Sequence, residues 1–336
     1  GKKGIAQTMV EEQRISPYAP FDLTTLQTEA YRFYGINPAR TLQIAQNLYL
    51  QGIISYPRTS SQKIPPVINA KAILGKLRGY EKEVKLAIRV KPIEGGKSDP
   101  AHPSIYPTGE RARLREEEEK IYDLIVRRFI SCFCEDAIVK NKIINFVVED
   151  LKFNARGLEI VKKGWMDVYK ARLQEKELKD LNGEFEVEKV KIDEKETQPP
   201  RRFTPASLVS ELTRRNLGTK ATRAAIIETL YNRGYIQEQA IKATELGISL
   251  IETLKKHSPI IIDEKLTRNF EKELEEIEKS KKNLAGKEEK VLNEAKEAIT
   301  KISQSFKKDE KEIGKELLEA NSIPVGKMRK ENELIE

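Results

Sequence analysis

Gly52-Ile53-Ile54-Ser55-Tyr56-Pro57-Arg58-Thr59-Ser60-Ser61 is the stretch on which the reading of this chain turns. Ile53 and Ile54 are apolar and β-branched and predict a short buried strand. Pro57 has no N–H to give a sheet ladder, so the strand stops there and Tyr56 sits at the end of a rigid element. Arg58 follows two positions later, then three hydroxyl residues, Thr59, Ser60 and Ser61. A phenol beside a guanidinium and several small donors suits an oxygen nucleophile aimed at a phosphate. Taken alone, the same residues also describe a surface turn with a packed tyrosine, so the surrounding chain has to decide.

Upstream, a helical pattern from Thr24 sets Leu26, Ala30 and Phe33 on one face and stops at Gly35. Asn37 and Pro38 cap and begin a second helix, with Leu42, Ala45 and Leu48, that runs to Gly52. The plan recurs from Thr204-Pro205: a helix with Leu208, Val209 and Leu212, a turn at Gly218, a helix with Ile226, Ile227 and Leu230, then Gly234 and a strand from Tyr235-Ile236. The endings align, Leu48-Tyr49-Leu50-Gln51-Gly52-Ile53-Ile54 against Leu230-Tyr231-Asn232-Arg233-Gly234-Tyr235-Ile236. Two such units describe a winged-helix-like plan present twice, or two helix-turn-helix pairs alike by coincidence.

Between them the periodicity changes. Residues 1–23 read as an extended lead-in, 66–90 as a helix or two, and 91–109, rich in Pro and Gly, as a loop. Residues 115–135 form a helix with Ile121, Leu124, Ile125, Phe129 and Ile130 inward. From about Lys140 the period falls towards two, and Ile143–Val148, Leu158–Val161 and Phe185–Ile192 read as strands of an antiparallel sheet. Glu194–Pro200 is a polar linker. Thr244 caps a helix with Leu246, Ile248, Leu250, Ile251 and Leu254. Leu266–Lys279 and Lys287–Glu319 are long Lys/Glu-rich helices with Val291, Ala295, Ile299, Ile302 and Phe306 at steps of three or four, and their charge runs read as solvated faces. Residues 321–336 read as a tail.

The 336 residues suffice for two or three domains, and a net charge of +8 points to a polyanionic partner, nucleic acid before an acidic membrane surface. Lys- and Glu-rich surfaces also suit heat adaptation. No apolar run approaches the ~18 residues of a spanning helix, and no signal-peptide pattern opens the chain. Cys132 and Cys134, the only two cysteines, have no His nearby and cannot make a four-ligand zinc site. They read as buried thiols in a reducing compartment.

Two further constellations carry chemistry. Asp99-Pro100-Ala101-His102-Pro103-Ser104-Ile105-Tyr106-Pro107-Thr108 fixes His102 between prolines, a stiff donor. The span 201–223 holds Arg201, Arg202, Arg214, Arg215, Lys220 and Arg223 against Glu211, six cations to one carboxylate, a surplus of five. Free amides at the helix start near Thr219–Thr222, with hydroxyls and cations, suit phosphate.

These three stretches, in this order, resemble the signatures of the type IA DNA topoisomerases, most of all the archaeal enzymes and the topoisomerase half of reverse gyrase. The first resembles the family's tyrosine motif and the second its histidine loop. Phe203-Thr204-Pro205-Ala206-Ser207-Leu208-Val209 through Leu217-Gly218-Thr219-Lys220-Ala221-Thr222-Arg223 resembles its strand-binding domain. The likeness runs from about Pro20 to Leu318. It implies a multi-domain α+β fold: winged-helix-like α domains and an antiparallel β hinge forming a toroidal arch. The expected layout is a hinge over 1–23 and 140–199, a tyrosine-bearing α domain over 24–139, and a helical DNA-binding domain over 200–320.

The resemblance implies that Tyr56 attacks a phosphodiester of single-stranded DNA, leaving a 5′-phosphotyrosyl link and a free 3′-OH. Arg58 would steady the developing charge and His102 would bond the backbone near the break. Thr222 would hold a phosphate, with Thr59, Ser61, Arg201, Arg202, Lys220 and Arg223 along the DNA. The link keeps the energy of the phosphodiester, so no ATP is needed, and there is no P-loop: Gly95-Gly96-Lys97-Ser98 resembles its end, but Lys91 stands where the first glycine belongs. The family motif often carries an aspartate where this chain has Ser60. The family's Mg²⁺ is held on a Toprim domain by a glutamate and an Asp-x-Asp-x-Glu run, and no Asp-x-Asp occurs here. The expectation is therefore a split or truncated enzyme. It would work on negatively supercoiled DNA at a cytoplasmic, nucleoid-associated location, with a Toprim-containing subunit as partner and a helicase where the reverse-gyrase arrangement applies. The rivals are a non-catalytic single-strand-binding or accessory protein that kept the scaffold, and a winged-helix repressor, which leaves the tyrosine loop and the hinge strands unexplained.

Overall fold

The computed structural model of the chain describes residues 2–280 and 284–321, so the expected tail lies, Asn321 apart, outside it. Its first element is β1 (Lys3–Ile15), a 13-residue strand where patterning gives only an extended lead-in. The apolar residues there do not announce it, because Ala6 is buried while Ile5, Met9 and Val10 are exposed. β1 pairs antiparallel with β2 (Ala137–Val148), from Gly4 opposite Val148 to Ile15 opposite Ala137. β2 turns into β3 (Leu151–Lys162), and β4 (Gly183–Glu186) lies on the other side of β1, giving the order β3-β2-β1-β4. β4 is shorter than the expected Phe185–Ile192: Val190 and Ile192 are exposed, so no burial rewards their pairing.

Between β1 and β2 the chain leaves the sheet for α1 (Leu23–Tyr34), α2 (Pro38–Leu50), α3 (Ala70–Lys76), α4 (Glu81–Val84) and α5 (Glu116–Ser131). Asp22 starts α1 with a capping box: its carboxylate accepts from the Thr25 N–H at 2.7 Å while the Thr25 hydroxyl accepts from the Asp22 N–H at 3.1 Å. Leu26 and Ala30 of α1, Ile44, Ala45 and Leu48 of α2, and Ile121, Leu124, Ile125 and Phe129 of α5 share one core with Phe21, Ile53, Ile54, Ile105 and Trp165. Burying each of the larger side chains is worth about 1.5–3 kcal/mol. Cys132 and Cys134 lie in the same core as free thiols, and burial pushes both up to about 12.

The chain divides into two compact units, Gly1–Ile36 with Arg40–Pro200, and Arg201 onward with Asn37–Ala39. In the second, α6 (Pro205–Arg214) and α7 (Arg223–Asn232) are followed by a hairpin, β5 (Ile236–Gln237) with β6 (Lys242–Ala243), and by α8 (Glu245–His257). That is a helix-turn-helix with a wing. α9 (Glu264–Lys279) and α10 (Leu284–Asn321) complete it. In the first unit, among the described residues, no hairpin follows α2. Ile53-Ile54 is not a strand; Ile54 makes a single bridge to Pro107, and the prolines at 57 and 107 leave no N–H to extend it.

The aligned helix ends match bond for bond. Gly52 donates to the Tyr49 carbonyl at 2.8 Å and Ile53 to Leu48 at 3.2 Å; Gly234 donates to Tyr231 at 2.9 Å and Tyr235 to Leu230 at 3.0 Å. Both glycines have positive φ, 75° and 67°, as this C-terminal turn requires. Of the apolar positions read on α7, α8 and α10, Ile227 is buried, while Ile226, Ile248, Ile251 and Ile299 are exposed. Ala224, Thr253, His257, Ala298 and Ile313 are the other buried positions, several of which an apolar-residue count does not register.

Candidate active site

The end of α2 delivers the tyrosine loop. After Gly52, Ile53 and Ile54 are buried at 1% and 2% exposure and anchor the loop in the core. The histidine loop is laced to it. Ser55 N–H donates to Tyr106 O at 2.9 Å, Ser55 Oγ to Ser104 O at 3.0 Å, and Thr108 N–H to Ile53 O at 3.0 Å. Farther along, Gln62 N–H donates to Lys97 O at 2.9 Å and Ser104 N–H to Lys63 O at 2.9 Å. The buried Asp22 carboxylate accepts from Gln62 Nε2 at 3.2 Å and pairs with Lys97 at 3.3 Å, tying both loops to the start of α1.

This lacing sets Tyr56 and His102 ring to ring, centroids 4.5 Å apart and planes 46° apart. Tyr49, in the last turn of α2, meets the Tyr56 ring edge-on at 5.3 Å. Arg58 is half-buried and, among the described residues, is in no ion pair or hydrogen bond. The His102 ring nitrogens likewise have no partner among the described residues. Arg58 and the His102 ring nitrogens are thus uncommitted among the described residues, and donors of this kind are what developing negative charge on a phosphate calls for.

Thr59 and Ser61, expected along the DNA, are buried at 1% and 2% exposure. Thr59 Oγ1 donates to His102 O at 3.3 Å and accepts from Ser61 N–H at 3.0 Å, and Ser61 Oγ accepts from Lys63 N–H at 3.2 Å. Their hydroxyls shape the loop instead. Asp99, whose Oδ1 accepts from the His102 N–H at 3.3 Å, and Tyr49 are neighbours of the ring pair that the sequence reading did not single out. Asp99 precedes Pro100, a turn signal that was available; Tyr49 carried none.

The second group of expected residues lies in the other unit. Arg201 and Arg202 are exposed, and Lys220 stands in the turn before α7. Thr222 Oγ1 accepts from Thr219 N–H at 3.0 Å. Arg223 donates through Nε to Leu217 O at 2.9 Å and through Nη2 to Gly218 O at 2.7 Å, closing that turn, and burial lowers its pKa from the usual range. Arg214 and Arg215 clamp Glu211 and hold its carboxyl down to about 2, so part of the basic surplus is neutralised locally.

Among the described residues no three His, Cys, Asp or Glu side chains come together to hold a metal ion. The residues present therefore do not fit Mg²⁺. Among them, too, no helix is long and apolar enough to cross a membrane.

Comparison with known proteins shows the family. A family model described as DNA topoisomerase matches residues 2–287. DNA topoisomerase 1 of Pyrococcus horikoshii is 45% identical over 327 residues, 93% of this chain and 47% of the relative. DNA topoisomerase 1 of Methanocaldococcus jannaschii is 45% identical over 314 residues, 90% of this chain and 41% of the relative. The structure of full-length topoisomerase I from Thermotoga maritima aligns with a TM-score of 0.72 at 27% identity, over 90% of this chain and 52% of that one. The chain thus spans about half the length of the curated relatives it matches. On the family match, the identities and the shared fold, the chain belongs to the type IA DNA topoisomerases.

Proposed function

We propose that this chain carries the strand-cleaving tyrosine of a type IA topoisomerase, and that Tyr56 is the nucleophile. The single observation that supports this most is the Tyr56–His102 ring pair held by two loops, with Arg58, two positions after Tyr56 in the chain, in no bond among the described residues. The Tyr56 phenolic oxygen attacks the phosphorus of a single-strand phosphodiester. The bond to the 3′ oxygen breaks, and that oxygen leaves as a 3′-OH after taking up a proton. Phosphate stays on Tyr56 as a 5′-phosphotyrosyl ester. One ester replaces another, so the reverse attack by the 3′-OH reseals the strand without ATP, and passage of a second strand between the steps relaxes negative supercoils.

Arg58 and His102 bind the phosphate oxygens as charge develops. Arg201, Arg202, Lys220, Thr222 and Arg223 hold the backbone of the bound strand. The Mg²⁺ chemistry belongs to a Toprim domain outside residues 2–280 and 284–321, carried by a longer form of this polypeptide or by a second chain.

The test is a denaturing gel with end-labelled single-stranded DNA and Mg²⁺, the chain being run alone and with a separately supplied Toprim domain. A labelled covalent band is expected when the Toprim domain is present. Tyr56→Phe removes it without weakening DNA binding. Absence of the band in both conditions, with binding intact, would leave a non-catalytic single-strand binder.

A further inference from the structure

We propose that Asp99 is the positioning residue that fixes His102 against the nucleophile. Two loops some forty residues apart in sequence end on this one carboxylate. Oδ2 accepts from the Ser60 N–H at 3.2 Å and from Ser60 Oγ at 3.1 Å. Oδ1 accepts from the Ala101 N–H at 3.0 Å and from the His102 N–H at 3.3 Å. One oxygen therefore holds the backbone just past Arg58, and the other holds the backbone that carries the histidine ring. The carboxylate is planar and rigid, so it sets the spacing between the two backbones. Thr59 Oγ1 adds a parallel link to the His102 carbonyl at 3.3 Å.

The chemistry requires acceptors on both sides, because the Ser60 N–H and hydroxyl and the Ala101 and His102 N–H groups converge on it, and none of them can accept in its place except the serine hydroxyl. A carboxylate meets this demand and an amide does not. Asp99→Asn keeps an oxygen for Ala101 and His102 but turns an NH₂ towards the Ser60 N–H. Asp99→Ala removes both halves. Asp99 does not touch the substrate in this role; it acts through the place of the His102 ring.

The proposal rests on the reading of Tyr56 and His102 as the reacting pair, but its central claim is one of position and is measured without turnover. The chain has two histidines, His102 and His257, so their ring signals are separable by NMR in the intact protein. At 4.5 Å the Tyr56 ring current shifts the His102 ring protons, and Tyr56→Leu gives the unshifted reference. In Asp99→Ala the His102 signals are expected to move most of the way to that reference while His257 stays in place. In Asp99→Asn they move part of the way. In the gel assay Asp99→Ala is expected to slow covalent-band formation about 10- to 100-fold, the scale of a misplacement near 1 Å, at unchanged affinity for single-stranded DNA. In a His102→Ala background the same substitution should add nothing further.

Unshifted His102 signals in Asp99→Ala, with His257 also unmoved, overturn the proposal. Multiplicative losses in the double variant overturn it too. Should Asp99→Ala move both histidines by unfolding, the milder Asp99→Asn decides by the same signals. If the wild-type chain forms no covalent band, the proposed activity fails, and the ring shifts still decide the role of Asp99.

Discussion

Tyr56 is flanked on two sides, by His102 at 4.5 Å and by Tyr49 edge-on at 5.3 Å. Edge-to-face packing uses the ring and not the hydroxyl. Tyr49→Phe should therefore keep the rate of covalent-band formation, while Tyr49→Ala slows it roughly tenfold by loosening the nucleophile; equal losses in both variants would show that the Tyr49 hydroxyl, not the ring, matters. Asp22 is a second site of leverage, since its buried carboxylate caps α1 and receives Gln62 and Lys97 from the two loops. Asp22→Ala should cost about 2 kcal/mol, the upper range for a lost cap, read as a lower urea midpoint at unchanged slope. Tyr56, Arg58 and His102 can be proposed from the sequence because each sits in a short proline-bearing stretch, and the structure sets the Tyr56 and His102 rings together. Tyr49 and Asp99 were not legible in the sequence, because their partners are defined only once a helix end and a distant loop have been brought together. Thr59 and Ser61 misled for the opposite reason: a hydroxyl beside an arginine reads the same whether it faces a ligand or its own loop.

At the scale of elements, the packing of α8 on α10 depends on charge. His257 is buried between Asp309, at 3.1 Å from Nδ1, and Glu316, at 3.4 Å from Nε2, and Lys256 on its own helix also pairs with Glu316. The bond to Asp309, then that to Glu316, raises the His257 pKa above its ordinary value near 6.5, although burial and Lys256 oppose this. A raised pKa means the folded form holds the proton more tightly, so this stabilisation is complete below pH ~6.5 and fades as pH rises through the folded value. Glu316 runs the other way. Lys256 first, and His257 after it, hold its carboxyl down to about 2, so its share is present above its unfolded value and lost only as pH falls towards 2. The protection of α8 and α10 amides, taken relative to their intrinsic exchange rates, should thus fall as pH rises above ~6.5 through the folded value of His257, and His257→Gln should flatten that fall. Protection that does not change with pH in the wild type would sink this account. The helices themselves were readable from capping residues such as Thr204 and Thr244, whose side chains do cap α6 and α8. Which face is buried was not, because Thr253 and His257 take positions that a hydrophobic count assigns to isoleucines.

At the scale of the whole molecule, two proline-bearing stretches invite proteolysis, and the structure separates them. The 91–109 loop is pinned by Gln62, Lys63 and Asp22. Residues 188–200 are exposed throughout and lie in no helix or strand. Trypsin should cut first at Lys189, Lys191 or Lys195, with mass spectrometry of the earliest fragments as the readout; an earlier cut at Lys91 or Lys97 would contradict it. The pairing of β1 with β2 has one more consequence, in the timing of synthesis. Lys3–Ile15 finds its partner only when Ala137–Val148 has been made. At about 5–20 residues per second the first strand waits roughly ten seconds or more on the ribosome. Throughout that wait Ile5, Met9 and Val10 sit on an unpaired edge that a neighbouring nascent chain can join. Fast production of this protein therefore favours association between unfinished chains, and slower translation or an added holdase should raise its soluble yield.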